Sequence, residues 1–292
     1  MTTCSDGAIR WAPQKTAWFV LMLLPSLLWF RSALRVDVVI ASVALTVLTV
    51  CVGHSVGLHR GVIHRTYRMG PRTRAVLLVL AALAGIAGPL TLMRVHRIRD
   101  YWQNRADCPR FYRYEHGLLR DFWWNLHCLH VPPAHAPDPS DALAGLDRGG
   151  VVVVNALEWL WRPLQLTVAV PAYLAFGLGG AVGCVCARVT IAMIMHELVG
   201  WFAHAHSSGY RNYSIAGAVE EGRNSLLFGA ISFGEGWHNN HHACPGSARF
   251  GVRPWELDIG WLVLRALAFV GLVHDVQTHR TAALKEGARP LA

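Results

Sequence analysis

Four long apolar runs constrain the fold of this chain more than any other feature of its sequence. They cover residues 17–30, 36–53, 75–93 and 164–202, and the last run contains a glycine-rich break. A helix needs about 20 apolar residues to cross a bilayer core, where no water satisfies unpaired backbone groups. Only 15% of the residues are charged, against about a quarter in soluble domains. We therefore predict an all-α, integral membrane helical protein.

The arginines predict its topology. The net charge is +9, and arginines cluster between the second and third runs and again after the third. Such residues stay on the cytoplasmic side of a membrane, although they could also bind a phosphate-rich or acidic partner. No basic motif lies on a soluble domain, so nucleic acid is not an expected partner.

The apolar runs must return the arginine-rich segments to one side of the membrane. This requirement predicts about four transmembrane helices, arranged as two hairpins with a cytoplasmic helical cap. The second hairpin turns at residues 177–183, and Arg188 near its outer end is expected to reach the interface. The third run should lie against the membrane or against protein, because a full crossing would separate His59 from His96. Residues 17–278 form the predicted domain, and 1–16 and 279–292 are expected to be unanchored tails on the cytoplasmic side.

Sixteen histidines are unusual in so apolar a chain. The strongest cluster is His238, His241 and His242, within the segment GEGWHNNHH. On a helix, residues three and four apart share a face. Three neutral imidazoles on one face have few structural uses, and metal binding is the leading one. This segment therefore predicts a metal site.

Three other histidine groups are weaker indications. His54 and His59 lie at the end of the second run, and a spacing of five turns them about 140° apart on a regular helix. They could therefore serve two metals or flank one at a distorted helix end. His96 stands alone in the segment MRVHRIRD, and a further group follows the last run at His204 and His206.

These segments together resemble the membrane fatty-acid desaturases, in particular the stearoyl-CoA (delta-9) branch, over roughly residues 17–275. The similar features are the H-x4-H box with its HRTY tail, the H-R-x-x-x box, the H-x-x-G-Y-R-x-Y stretch and GEGWHNNHH. The resemblance implies two irons held almost entirely by histidine, with no catalytic residues beyond the ligands. Matched position by position, it gives the ligand role to His54, His59, His96, His206, His238, His241 and His242.

The sequence departs from this family at three expected ligand positions. The second box should read H-x-x-H-H, but its last two positions are Arg99 and Asp100. Phe202 stands where the family has an asparagine ligand. Asp100 could ligate as a carboxylate, and His204 could replace the asparagine. Residues expected to orient the ligands are Glu235 and Asn239 or Asn240.

The resemblance implies O2-dependent, iron-dependent desaturation of a fatty acyl chain in the cytoplasmic membrane, with the active site on the cytoplasmic side. The substrate would be an acyl-CoA, an acyl-ACP or an acyl lipid. The chain has no flavin, haem or iron–sulfur motif, so electrons would come from a separate ferredoxin- or cytochrome b5-type protein. Two alternatives remain: a lipid hydroxylase of the same superfamily, and a non-enzymatic membrane protein with a degenerate metal site.

Overall fold

A computed structural model describes residues 6–31, 34–103, 105, 107–132, 141–204, 209–218 and 222–291. This part of the chain is mostly helical. Its α-helices are α1 (Pro13–Phe30), α2 (Val36–Thr46), α3 (Pro71–Leu83), α4 (Pro89–Gln103), α5 (Leu118–His127), α6 (Arg148–Leu160), α7 (Leu166–Ala181), α8 (Arg188–His204), α9 (Leu226–Ile231), α10 (His238–Ala243) and α11 (Ile259–Phe269). Two further segments are π-helical: Val47–Ile63 continues α2, and Val182–Ala187 joins α7 to α8.

The described residues are mostly helical, as predicted, and they also form three two-stranded antiparallel ribbons. Their strands are β1 (Ala8–Trp11) with β3 (Cys128–Val131), β2 (Arg68–Met69) with β5 (Val273–His274), and β4 (Tyr213–Ile215) with β6 (Ala288–Pro290). The β1–β3 and β4–β6 ribbons also correct the expectation that residues 1–16 and 279–292 are unanchored tails. β1 lies in the first of these segments and β6 in the second. Strands of three or four residues are too short for alternation of polar and apolar residues to reveal them.

Two helical stretches are long and apolar enough to cross a membrane in the described part of the chain, Val36–Ile63 and Pro163–His204. The second is a hairpin, because Gly177 has φ 72° and ψ −164°. The guanidinium of Arg188 donates to Gln165 Oε1 at 2.9 Å, whereas 23 residues of straight helix would separate these residues by about 35 Å. The predicted glycine-rich turn therefore lies at Gly177. Four complete crossings remain a prediction.

The third apolar run is divided between α3 and α4, so it does not cross as one helix. Glycines hold α3 against the π-helical segment Val47–Ile63. A Cβ at Gly53 would lie 2.4 Å from the backbone nitrogen of Ala81, and one at Gly57 would lie 2.6 Å from the Cβ of Leu77. Only glycine permits so close an approach of two helix backbones. This contact places the end of the π-helix beside α4, where the next histidine lies.

Arg188 does not reach the interface as predicted, since it is only 1% exposed. Its guanidinium donates to the backbone oxygens of Cys184 and Leu83, to Thr49 Oγ1 and to Gln165 Oε1, at 2.7 to 3.0 Å. A buried guanidinium is tolerated where its donors are satisfied in this way. Arg188 therefore ties the two limbs of the second hairpin to α3 and to the π-helix.

Candidate metal centre

Four histidines from separate elements form the first metal-competent group. His59 lies within the π-helical segment Val47–Ile63, and His64 follows it directly. His96 lies on α4 and His241 on α10. One ligand nitrogen of each lies within 4.8 Å of those of the others. The chain therefore gathers, from residues up to 182 positions apart, a set that could hold one metal ion.

A second group consists of His204, His238 and His242, and its ligand nitrogens also lie within 4.8 Å of one another. His204 ends α8, whereas the other two lie one turn apart on α10. His241 and His242 are adjacent on α10, so they point to different groups. The short helix α10 therefore supplies ligands to both candidate positions.

The distances between the ring nitrogens of the second group fit coordination of a shared metal ion better than they fit hydrogen bonds between the rings. The Nε2 atom of His238 lies 3.0 Å from that of His204 and 2.9 Å from that of His242. An imidazole nitrogen has one in-plane position for a proton or a lone pair, so it cannot make good hydrogen bonds to both. Ligands at right angles around a metal, with bonds of 2.0–2.2 Å, are separated by about 2.8–3.1 Å. The donor set thus fits a metal ion.

Burial keeps these imidazoles neutral, which metal binding requires. It lowers the pKa of His64, His238 and His241 well below the usual range, and neighbouring imidazoles lower it further. Burial likewise lowers the pKa of His242 to about 4. At neutral pH each of these four rings therefore offers a lone pair.

Glu235 orients His59 from outside the first group. Its Oε2 lies 2.7 Å from His59 Nδ1, and its Oε1 accepts a hydrogen bond from Ser55. Burial alone would raise the pKa of Glu235, but His59 and Arg60 hold it well below the usual range. Since Nδ1 donates to this carboxylate, the buried Nε2 of His59 is left with its lone pair directed at the group.

The two asparagines of α10 do not contact the ligand rings through any described hydrogen bond, but they fix the helix that carries them. Asn239 Oδ1 accepts from the backbone nitrogens of Asn212 and Tyr213 at 2.8 Å. Asn240 donates to Glu256 Oε2 and accepts from Asn212, each at 2.8 Å. These buried amides and carboxylate form a closed polar network, which holds α10 at a fixed position.

Of the seven predicted ligands, the structure brings five into the two groups: His59, His96, His238, His241 and His242. His54 is in neither group. It lies instead against His196, with ring centroids 5.5 Å apart. His206 lies outside the described residues.

His64 was not among the predicted ligands, although it extends the pattern to H-x4-H-x4-H and belongs to the first group. A five-residue repeat matches the i to i+5 hydrogen bonds of a π-helix. The backbone nitrogen of His64 indeed donates to the carbonyl of His59 at 3.0 Å. His204 was considered only as a replacement for the asparagine, and it joins the second group.

Asp100 and Arg99 have different surroundings. Asp100 Oδ2 lies 3.2 Å from His96 Nε2. Burial would raise the pKa of Asp100, but the facing His96, through its charge and its hydrogen bond, holds that pKa well below the usual range. The carboxylate also lies within electrostatic reach of His64 in the first group and His242 in the second. Arg99 contacts Tyr114 and Asn125 instead.

The histidines border an apolar cavity of about 260 Å³. His54, His96, His204 and His242 form part of its wall. Aliphatic residues of α4 and α8 supply a further part of the lining, for example Leu92, Val95, Ile191, Met195 and Val199. Such a cavity can hold a hydrocarbon chain beside a metal and exclude water from it.

Comparison with known proteins agrees with this geometry. The profile of the fatty acid desaturase family matches residues 36–277. The chain is 28% identical over 228 residues to the sn-1 stearoyl-lipid 9-desaturase of Anabaena variabilis, covering 77% of this chain and 78% of that protein. It is 29% identical over 231 residues to delta-9 acyl-lipid desaturase 2 of Arabidopsis thaliana, covering 77% and 70%. It is 26% identical over 268 residues to the hex-5-enoyl-[acyl-carrier protein] acetylenase of Moorena producens, covering 86% and 80%. The chain therefore belongs to the fatty acid desaturase family.

Proposed function

We propose that this protein is an oxidoreductase that desaturates fatty acyl chains in a membrane, using iron and O2. The observation that carries the proposal is the gathering of seven histidines in two adjacent groups, and five of these histidines line an apolar cavity. Family membership supports it independently. Imidazole suits iron as a ligand. We infer one iron at each group, held by His59, His64, His96 and His241 and by His204, His238 and His242.

The chemistry explains why such a site is needed. Iron with O2 and electrons supplies an oxidant strong enough to take hydrogen from an unactivated methylene. In the overall reaction two C–H bonds break and one C=C bond forms. The substrate gives two hydrogens with two electrons, and an external donor gives two more electrons; O2 takes these up with two protons from solvent and leaves as two water molecules. A separate electron-donor protein, of the ferredoxin or cytochrome b5 type, supplies the second pair.

The chain's own residues bind, orient and protect the reactants. Aliphatic side chains of α4 and α8 hold the acyl chain along the cavity, so that one C–C bond lies beside the histidine groups. Glu235 fixes the tautomer of His59, and Asp100 supplies a negative charge beside His96 and within electrostatic reach of both groups. The named relatives include proteins for acyl-lipid and acyl-[acyl-carrier protein] substrates. We infer a substrate carried in one of these forms or as an acyl-CoA.

Iron analysis combined with lipid profiling tests the function. The detergent-purified protein should contain about two irons per chain, as two ligand groups imply. Cells that express it should gain acyl chains with two hydrogens fewer, whereas cells that express His241→Ala should not. Products that gain an oxygen atom would identify a hydroxylase. Absence of both iron and new lipids would contradict an enzymatic role.

We further propose four membrane crossings, with both termini and the metal centre on the cytoplasmic side. Outward-facing leucines on α1, such as Leu24 and Leu28 at 55% and 72% exposure, support a lipid-facing first helix. Cysteine labelling from each side tests this topology. Gly70→Cys adds a side chain in open space, and Leu178→Cys replaces one that is 70% exposed. The two reporters should label from opposite sides, with the unsubstituted protein as control. Labelling from one side would contradict the four-span topology.

A further inference from the structure

Arg99 stands where the family pattern has a histidine, and it forms the centre of a buried chain of contacts. Its Nη1 donates to the Tyr114 hydroxyl at 2.7 Å, and its Nη2 donates to Asn125 Oδ1 at 2.6 Å. Asn125 in turn donates to the carboxylate of Asp121 at 3.0 Å. The guanidinium is therefore held in one position by α5, although it has no lone pair to offer a metal.

Tyr114 connects the fixed guanidinium of Arg99 to the second histidine group. Its ring is stacked on that of His204, with centroids 4.7 Å apart and planes inclined by only 4°. Both side chains are buried, with Tyr114 6% and His204 3% exposed. The Nε2 of His204 lies 3.0 Å from that of His238. The stacked ring is thus the one that points its nitrogen into the group.

His204 lacks the usual means of orientation for a ligand histidine. Such rings normally donate their second nitrogen to a carboxylate or carbonyl, as His59 does to Glu235. The Nδ1 of His204 is buried and has no hydrogen-bond partner among the described residues. Stacking on a fixed aromatic ring can restrict the rotation of an imidazole without such a bond.

We propose that Tyr114 and Arg99 are positioning residues that hold His204 in its metal-binding orientation. Arg99 fixes the tyrosine hydroxyl, and the tyrosine ring fixes the imidazole. The arginine thus contributes to the second metal position by a route other than ligation. This inference rests on the proposed metal-binding function of that group.

Site-resolved cobalt binding tests the proposal without reference to activity. Metal-free protein is titrated with Co²⁺ against a competing chelator, and the visible absorption of bound Co²⁺ reports ligand geometry. Tyr114→Leu removes the stack and should weaken one of the two metal equivalents about 10-fold, the lower end of effects for residues outside the ligand set. Its cobalt spectrum should change, while the other equivalent keeps its affinity. Tyr173→Leu, the same substitution at a tyrosine of α7 that is 55% exposed, is the control and should behave as wild type.

A double-mutant cycle tests whether Arg99 acts through the tyrosine hydroxyl. Arg99→Met should weaken the same equivalent in the wild-type background but have no further effect in Tyr114→Phe, where the hydroxyl is absent. Equal effects in both backgrounds, or an unchanged spectrum and affinity in Tyr114→Leu, would overturn the proposal. If Tyr114→Leu does not fold, the cycle decides alone. Failure of the wild-type protein to bind metal would contradict the proposed function instead.

Discussion

Replacement of Glu235 by glutamine should weaken metal binding at the first group and leave the second group unchanged. The carboxylate receives a hydrogen bond from His59 Nδ1 at 2.7 Å and another from Ser55, with Arg60 Nη2 at 3.7 Å. It therefore sets the direction of the His59 lone pair. Glutamine has nearly the same shape, but it has no charge, and its amide directs an N–H donor toward either His59 or Ser55.

The size of the effect follows from the hydrogen bond that changes. A hydrogen bond to a charged group contributes about 1.5–3 kcal/mol, and a neutral one about 0.5–1.5 kcal/mol. The difference of about 1–2 kcal/mol corresponds to roughly 5- to 30-fold in the dissociation constant, at 1.4 kcal/mol for each factor of ten. Glu235→Ala removes the contact entirely and should approach the upper part of the 10- to 100-fold range for such residues.

Competitive titration of metal-free protein measures both affinities separately. Glu158→Gln is a suitable control, because this carboxylate accepts from the Thr91 backbone at 3.1 Å and is not in either histidine group. It should leave both affinities unchanged. The reasoning would be refuted if Glu235→Gln and Glu235→Ala both kept the wild-type affinity. Equal weakening of both equivalents in a folded protein would refute it as well.

Three further predictions concern the site. His64→Ala should remove metal from the first group, whereas His54→Ala should keep both metal equivalents, because only His64 belongs to a group; metal analysis of the two variants compares them. Asp100→Asn should lower iron content or turnover, since its charge lies near histidines of both groups; full retention of both would exclude a role for the carboxylate. Metal-free protein should lose stability as the pH falls from about 6.5 towards about 4, because the unfolded chain binds protons that buried His242, with its pKa lowered to about 4, does not. Thermal unfolding in chelator across this range measures the slope, and a Tm independent of pH would contradict buried neutral imidazoles.

Much of the fold and part of the site could be predicted from local sequence. Apolar length predicted the long helices, and small residues predicted the turn at Gly177. Regular α-helical spacing predicted that His238 and His242 share a face, and their Nε2 atoms are 2.9 Å apart. These features depend on residues close together in the chain, where side-chain direction follows directly from helix geometry.

Features that depend on distant residues could not be obtained in this way. The stack of Tyr114 on His204 joins α8 to a loop 90 positions earlier, and no local pattern indicates it. Arg188 looked like an interfacial residue because its run is apolar, but its partners come from three other segments. The short strands that anchor both ends of the chain are likewise defined by pairing across more than 70 residues.

Helix type decides which histidines can act together in the first group. On a regular α-helix a spacing of five turns side chains about 140° apart, which would direct His59 and His64 away from each other. In a π-helix the fifth residue is the hydrogen-bonded neighbour, so it lies one turn along nearly the same face. The ring centroids of His59 and His64 are accordingly 4.9 Å apart. His54 precedes His59 by the same five residues, so it lies one π-helical turn further back, where it faces His196. The π-helical segment thus brings the last two histidines of H-x4-H-x4-H to the group and leaves the first at the cavity wall.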